Sequence, residues 1–167
     1  MIYVFGYGSL ININTINELS NIPNKKTCPV NIDGLKRSWH VRGKIQTYLG
    51  IEDNPNYTCN GLLIEVTELE LDKLSKREEF YIKRPIDKSR IRFDYDKFLQ
   101  ISDDIIYSFY SLKYDNPDRG HPILQKYIYR CLIGCIKISK KFYNDFLIGV
   151  GLYRNNPNSL YKLKYIL

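Results

Sequence analysis

Histidine occurs only twice in the 167 residues, methionine and tryptophan once each, and cysteine four times. With His40 and His121 as the only imidazoles, a serine-hydrolase triad has little to draw on. Ser9 in GYGSL stands one position late for the GxSxG nucleophile turn, His40 sits in an apparent strand beside Trp39, and His121 precedes Pro122 at a helix start. Both histidines read as structural. No apolar run approaches the roughly 20 residues that a helix needs to cross a bilayer, so no membrane partner is expected. No secretory signal is recognisable and the chain is not a small loop-rich scaffold, which points to reduced thiols and a cytoplasmic location rather than two disulfides. The sequon Asn56-Tyr57-Thr58 therefore carries no weight. Cys131 and Cys135 stand i, i+4 on an apolar helix face, where cysteine behaves as a small hydrophobe, and the neighbourhood offers no partners for a metal. There is no block of about five or six like charges and no arginine-rich tail, so the net charge of +7 does not single out nucleic acid as a partner. Neither an internal repeat nor a low-complexity linker divides the chain, and a single domain over residues 1–167 is expected.

What is plentiful is apolar and aromatic. Hydrophobic residues make up 44 %, with 15 tyrosines and 7 phenylalanines, which is the composition of a chain that folds around a core. Ile2 to Phe5 reads as a short buried strand and Asn14 to Leu19 as a short helix. Val30 to Ile32 and Ser38 to Arg42 read as strands separated by the turn signal Asp33-Gly34. Thr47 to Ile51 and Leu62 to Val66 read as two more, separated by Asp53-Asn54-Pro55-Asn56. Thr67-Glu68-Leu69-Glu70 fits a capping box and predicts a helix to about Arg77 or Glu79, stopped before Pro85. Arg90 to Phe93 and Ile105 to Leu112 add strands. His121-Pro122 opens a helix with Leu124, Tyr127, Ile128, Cys131 and Cys135 on one face, and a last helix starts near Ser139 with Phe142 and Phe146 on one side. The tail from Leu152 to Leu167 reads as irregular or partly extended. These elements make an α+β domain of some six mostly antiparallel strands with two or three packed helices.

Two stretches have the composition for chemistry. FGYGSL places Gly6 and Gly8 on either side of Tyr7, which permits positive φ and close approach of a ligand to backbone N–H groups. It is neither a Walker loop nor a dinucleotide fingerprint, and a plain glycine-rich strand end explains it equally well. The second is Lys76-Arg77-Glu78-Glu79-Phe80-Tyr81. At about 100° per residue, Leu71, Leu74 and Glu78 share a stripe roughly 60° wide, while Glu79 lies nearer its rim. A carboxylate on that stripe has a raised pKa and needs a partner or a proton-transfer role; alternatively Glu78 sits at a fraying helix end and pairs with Arg77 or Arg84.

FGYGSL, GLKRSW at Gly34 to Trp39, TYLGI at Thr47 to Ile51, NGLLIEV at Asn60 to Val66, the RE-x-x-Y segment at Arg77 to Tyr81 and HPILQKYIYRCLIGC at His121 to Cys135 occur in one order. In that order they resemble the γ-glutamylcyclotransferase-like family. The resemblance implies a compact mixed, mostly antiparallel β-barrel with flanking helices, in which a glycine loop faces one glutamate across a cavity. It implies that Tyr7, Gly8, Ser9 and Leu10 form the substrate loop, that Glu78 is the catalytic acid/base, and that Tyr81 and Tyr127 line the cavity. Many relatives carry a glycine near the glutamate where this chain has Glu79-Phe80, which leaves Glu79 as a rival carboxylate. The implied reaction is intramolecular aminolysis of a small-molecule γ-glutamyl compound (glutathione, a γ-glutamyl amino acid or a γ-glutamyl amine) to 5-oxoproline and a free amine, with no metal or other cofactor. A non-catalytic binding protein of the same fold is the competing expectation.

Overall fold

The computed structural model describes residues 1–20 and 25–151; the tail expected to be irregular lies outside them. The sheet is built from β1 (Ile2–Gly6), β2 (Thr27–Arg42), β3 (Thr47–Val66), β4 (Tyr81–Pro85), β5 (Ile91–Arg92) and β6 (Ile105–Ser111). The helices are α1 (Ile13–Ser20), α2 (Glu68–Arg77), α3 (Gln125–Ile138) and α4 (Lys140–Gly149), with short 3-10 turns at Ser9–Ile11 and Lys88–Arg90. The α+β class is therefore as expected, with four helices among the described residues.

The strands run in the order β4-β6-β1-β3-β2-β5. Every pairing is antiparallel except β1 with β6, which is parallel and sets Ile2 opposite Ile105 and Val4 opposite Tyr107. β1 is wholly apolar because neighbours flank it on both sides; Tyr3, Val4 and Phe5 are buried. The sheet is open, which corrects the barrel expectation: its two ends, β4 and β5, do not pair with each other. Both ends have edge-strand chemistry. β5 is only two residues long, and β4 reads Tyr-Ile-Lys-Arg-Pro with four of its five residues exposed.

The centre of the fold is the long hairpin β2–β3, where the sequence signals suggested four shorter strands. Asp33-Gly34 is a bulge rather than a turn, with Gly34 at φ 76° and Asp33 and Leu35 both still paired to β3. Asp33 pairs with Thr58 and Leu35 with Asp53, so residues 54–57 bulge out opposite Gly34 alone before the ladder resumes. Turn chemistry is thus present at both places, but the flanking apolar residues continue the same ladder.

Helix α2 starts as expected. The Thr67 hydroxyl accepts from Glu70 N–H, and a Glu70 carboxylate oxygen accepts from Thr67 N–H at 2.8 Å. Helix α3 begins at Gln125, later than His121-Pro122 suggested, because the carbonyls of His121 and Pro122 accept from the Thr47 hydroxyl and Thr47 N–H, at 2.7 and 2.8 Å. Those bonds hold the segment against the start of β3. In α3 the buried stripe is Ile128, Cys131, Gly134 and Cys135; Ser139 then caps α4, which buries Phe142 and Phe146 completely. All four cysteines are buried free thiols. Among the described residues no helix is long and apolar enough to cross a membrane.

Candidate active site

The chain leaves β1 at Gly6 and turns at once into the Ser9–Ile11 helical turn, closed by Ile11 N–H to Gly8 O at 3.0 Å and Asn12 N–H to Ser9 O at 3.1 Å. Close approach, not positive φ, is what the glycines provide. Gly8 has φ −129°, and neither Gly6 nor Gly8 is among the positive-φ glycines. A Cβ on Gly6 would stand 2.6 Å from the Leu10 Cβ, and one on Gly8 would stand 2.7 Å from the Tyr127 hydroxyl. Two bonds then pin the loop. The Tyr7 hydroxyl donates to Phe109 O at 2.5 Å, and the Tyr7 carbonyl accepts from Arg37 Nη1 at 3.0 Å. The first amides of a helical turn find no acceptor within it; here that turn and Tyr127 both border the narrow cleft in front of the loop.

Glu78 faces this loop from the end of α2. It is the residue after the last helical turn, with φ −86° and ψ 47°, and its N–H still bonds Leu74 O at 2.9 Å while its carbonyl accepts from Tyr81 N–H at 3.0 Å. The helical phase therefore gave the right direction for a residue that caps the helix. Its side chain keeps only 17 % of its exposure. Burial pushes the Glu78 carboxyl above the ordinary range, and Arg77, whose Nη1 lies 3.4 Å from Oε1, offsets this only in part. Arg77 also reaches Ser9 Oγ at 3.4 Å, so one guanidinium links the glutamate to the loop.

Three tyrosines complete the walls. Tyr81 donates to Leu49 O at 2.8 Å, and Tyr127 stands edge-on to Trp39 and Tyr48 with ring centroids 6.0 and 5.4 Å away. Burial, then neighbouring tyrosines or cysteine and Glu78, hold the Tyr7, Tyr81 and Tyr127 hydroxyls well above their usual pKa, so all three stay protonated. Ser9, Glu78, Tyr81 and Tyr127 line a cavity of about 430 Å³ and also a narrow inner cleft, whose other walls include Tyr7, Gly8 and Leu10. All seven residues singled out in the sequence are thus brought together, Tyr7 and Leu10 as largely buried members of the inner wall. The site holds one shielded carboxylate, the protonated phenols of Tyr7, Tyr81 and Tyr127 and a backbone turn: enough to move a proton within an enclosed polar space.

No protein-family model matches the chain, and no curated protein does either. Solved structures do. A γ-glutamyl cyclotransferase superposes with a TM-score of 0.68 at 13 % identity, covering 87 % of this chain and 85 % of its own. An uncharacterized protein from Homo sapiens gives 0.67 at 13 % identity over 86 % and 85 %. A yeast γ-glutamyl cyclotransferase specific to glutathione gives 0.59 at 12 % identity over 92 % and 97 %.

The chain has the γ-glutamyl cyclotransferase fold.

At such identities the likeness carries the fold and not the activity, so within this cyclotransferase fold the roles rest on the residues themselves. Glu79, the rival carboxylate, borders the 430 Å³ cavity but not the inner cleft: its side chain is 55 % exposed and lies 3.7 Å from Lys44 Nζ. His40 is buried between the Ser38 and Ser111 hydroxyls, each at 2.6 Å, and His121 lies 3.4 Å from Asp118; neither lines the cavity. Sequence reading missed Gln46, Tyr48, Lys126 and Arg130 on the cavity wall. Only Lys126 and Arg130 left a signal, as an i, i+4 pair flanking Tyr127 on α3. It also missed Arg37, which braces the loop from behind.

A larger cleft of about 820 Å³ lies between β2 and α4 and borders Gly151, the last described residue. Its carboxylates are already engaged: Asp94 accepts from Asn31 at 2.7 Å, and Asp145 from Tyr95 at 2.7 Å and Lys141 at 3.0 Å. The glycine loop does not line it. The smaller cavity is the one where a shielded carboxylate, a glycine loop and hydroxyls converge.

Proposed function

We propose that the protein is a cyclotransferase that converts a γ-glutamyl compound to 5-oxoproline and a free amine, with Glu78 as its acid and base. The observation that carries this reading is Glu78 itself, a carboxylate 17 % exposed on the cavity wall opposite the Gly8–Ser9 turn, with its proton affinity raised by burial. A base of raised pKa suits the first task, because an α-ammonium must lose a proton before its nitrogen can attack. The nitrogen then forms a bond to the γ-carbonyl carbon, and the bond from that carbon to the departing nitrogen breaks. The attacking nitrogen gives up two protons in all, one before the new bond forms and one after; Glu78 takes each in turn and hands both to the departing nitrogen, which leaves as an ammonium, so the carboxylate is regenerated and no water is consumed.

The oxygen of the tetrahedral intermediate needs donors fixed in advance. The amides of the Gly8–Leu10 turn and the protonated Tyr127 hydroxyl, adjoining the same inner cleft, suit this role. Folding the flexible glutamyl chain into a closed space favours ring closure over the extended conformers that dominate in water. Four buried free thiols suit a reducing compartment such as the cytoplasm.

The test is incubation of the protein with a panel of γ-glutamyl amino acids, peptides and amines, monitoring 5-oxoproline by mass spectrometry. Glu78→Gln is expected to abolish its release in a folded protein and Glu79→Gln to retain it. The opposite pattern assigns the role to Glu79. Binding without release in the parent protein makes it a binding member of this fold.

A further inference from the structure

Arg77, the last residue of α2, touches both walls of the candidate site. Its Nη1 lies 3.4 Å from Glu78 Oε1, and its Nη2 reaches Ser9 Oγ at 3.4 Å, 68 residues away in sequence. Adjacent residues of a helix do not face each other, so the contact with Glu78 comes from the reach of the guanidinium and not from helical phase. Glu78 and Ser9 line the inner cleft while Arg77 lines only the wider cavity, so the guanidinium links the two walls from the outer side. Other groups face Glu78 from every neighbouring element: Tyr7 and Ser9 from the loop, Tyr81 from β4 and Tyr127 from α3. Glu79, Lys126 and Arg130 border the wider cavity but not the cleft. Among the described residues Arg77 is the one cation paired with Glu78.

Resting on the cyclotransferase reading, we infer that Arg77 is a positioning residue: its guanidinium ties Glu78 to the glycine loop and gives the shielded carboxylate the counter-charge it needs to act as a base. A carboxylate screened from water by phenols and a backbone turn holds a proton too readily, and a protonated glutamate cannot take one from an ammonium. The Arg77 charge works against that burial. The second contact sets direction. With the same guanidinium on Glu78 and on Ser9, the base and the turn keep a fixed separation, which a reaction between groups held on opposite walls requires. A cation placed at the helix end only to complement the macrodipole needs neither contact.

Arg77→Met and Arg77→Lys separate the two contacts. Glu78 must be ionised in the free protein, so kcat/KM falls as pH drops through its pKa, and removing the neighbouring cation moves that limb upward. The Arg77 side chain keeps 32 % of its exposure, so the expected move in Arg77→Met is about one pH unit, the low end for an opposite charge this close, and about tenfold in kcat/KM on the limb. Above the limb, kcat should fall about tenfold with little change in KM. Arg77→Lys keeps a charge but cannot hold both oxygens, so the limb should return close to its place while only part of the plateau recovers. A limb that stays put in Arg77→Met overturns the inference: with a lowered Tm alone Arg77 is structural, and with a raised KM alone it binds substrate. The second arm needs no turnover. The Glu78 side-chain carboxyl, assigned by the loss of its signal in Glu78→Gln, is titrated by carbon NMR and should titrate about one pH unit higher in Arg77→Met than in the parent. If the parent releases no 5-oxoproline, the cyclotransferase reading fails, and the NMR difference still upholds Arg77 as the counter-charge of Glu78. Equal titration in the two proteins overturns it, with or without turnover.

Discussion

Arg37→Met isolates the device that holds the glycine loop. Arg37 is 3 % exposed, and among the described residues no carboxylate is its partner. Its charge is spread over oxygens instead: Nη1 donates to Tyr7 O at 3.0 Å and Asn60 O at 2.8 Å, Nη2 donates to Asn60 Oδ1 at 2.7 Å and over a longer 3.4 Å to Phe146 O, and the guanidinium lies 4.1 Å from the centre of the Phe146 ring. A bond from a charged donor is worth about 1.5–3 kcal/mol, so the three short bonds contribute about 4.5–9 kcal/mol. Against this, removing the buried cation returns its desolvation cost, several kcal/mol. Methionine fills similar length but leaves three acceptors facing apolar atoms, and the net expected loss is about 3 kcal/mol. For a domain of this size that lowers Tm by about 6–12 °C. Urea titration checks it, with a reduced midpoint at an unchanged m-value. A loss under about 1 kcal/mol would refute the reasoning, since it would mean that the desolvation cost cancels the network. Arg37→Lys should recover part of the stability, because a single ammonium cannot span Tyr7 and both Asn60 oxygens.

Glu78→Gln should raise stability at pH 7 while it removes catalysis. The folded-state pKa of Glu78 is raised by burial, so its contribution to stability is fully present below the ordinary value of about 4.3 and is lost as pH rises through the folded value. The Tm difference should therefore close as pH falls toward 4, and a variant less stable than the parent at pH 7 contradicts the burial argument. In the parent, the acidic limb of kcat/KM should lie above the range of an exposed glutamate. Thr67→Ala should cost about 1 kcal/mol through the lost cap. Glu70 is desolvated, yet Lys25 and Thr67 hold its pKa below the ordinary range, so its contribution is present above that range and lost as pH falls; the cost of Thr67→Ala, read from urea midpoints, should narrow in acid. Gly8→Ala should suppress 5-oxoproline release and cost about 1–3 kcal/mol of stability, read from a lowered urea midpoint, because its Cβ meets the Tyr127 hydroxyl at 2.7 Å. Adding Tyr127→Phe removes that hydroxyl and should recover part of the stability, and no recovery would show that the clash lies elsewhere.

Signals confined to a few neighbouring residues were the ones that read correctly. The capping box at Thr67 and Glu70, the Ser139 cap with Phe142 and Phe146, and the Ile128, Cys131 and Cys135 face of α3 depend on contacts three or four residues apart, and these form although α3 itself starts later than His121-Pro122 suggested. The bulges in β2 and β3 did not read as bulges, because Asp33-Gly34 and Asp53-Asn54-Pro55-Asn56 have turn chemistry; only the partner strand decides whether the chain reverses or resumes its ladder. Strand β4 was missed because its edge position leaves Ile82, Lys83, Arg84 and Pro85 exposed and without an alternating pattern. At the site, Glu78 was legible from helical phase. Arg37 was not, because an arginine in a strand reads as a solvent-facing charge until Tyr7, Asn60 and Phe146 surround it.

The parallel pairing of β1 with β6 decides when a site can exist at all. Tyr7 is tied to Phe109, and Gly8 packs against Tyr127, so the glycine loop takes its shape from residues more than 100 positions downstream. Local helices such as α2 can form early, but closing loops of that length is slow relative to local contacts. During synthesis the loop and its strand must therefore wait, apolar and unpaired on one side, until β6 and α3 have emerged. The candidate cavity is among the last parts of the molecule to assemble, and destabilising β6 should empty the site of structure before it unfolds the β2–β3 hairpin.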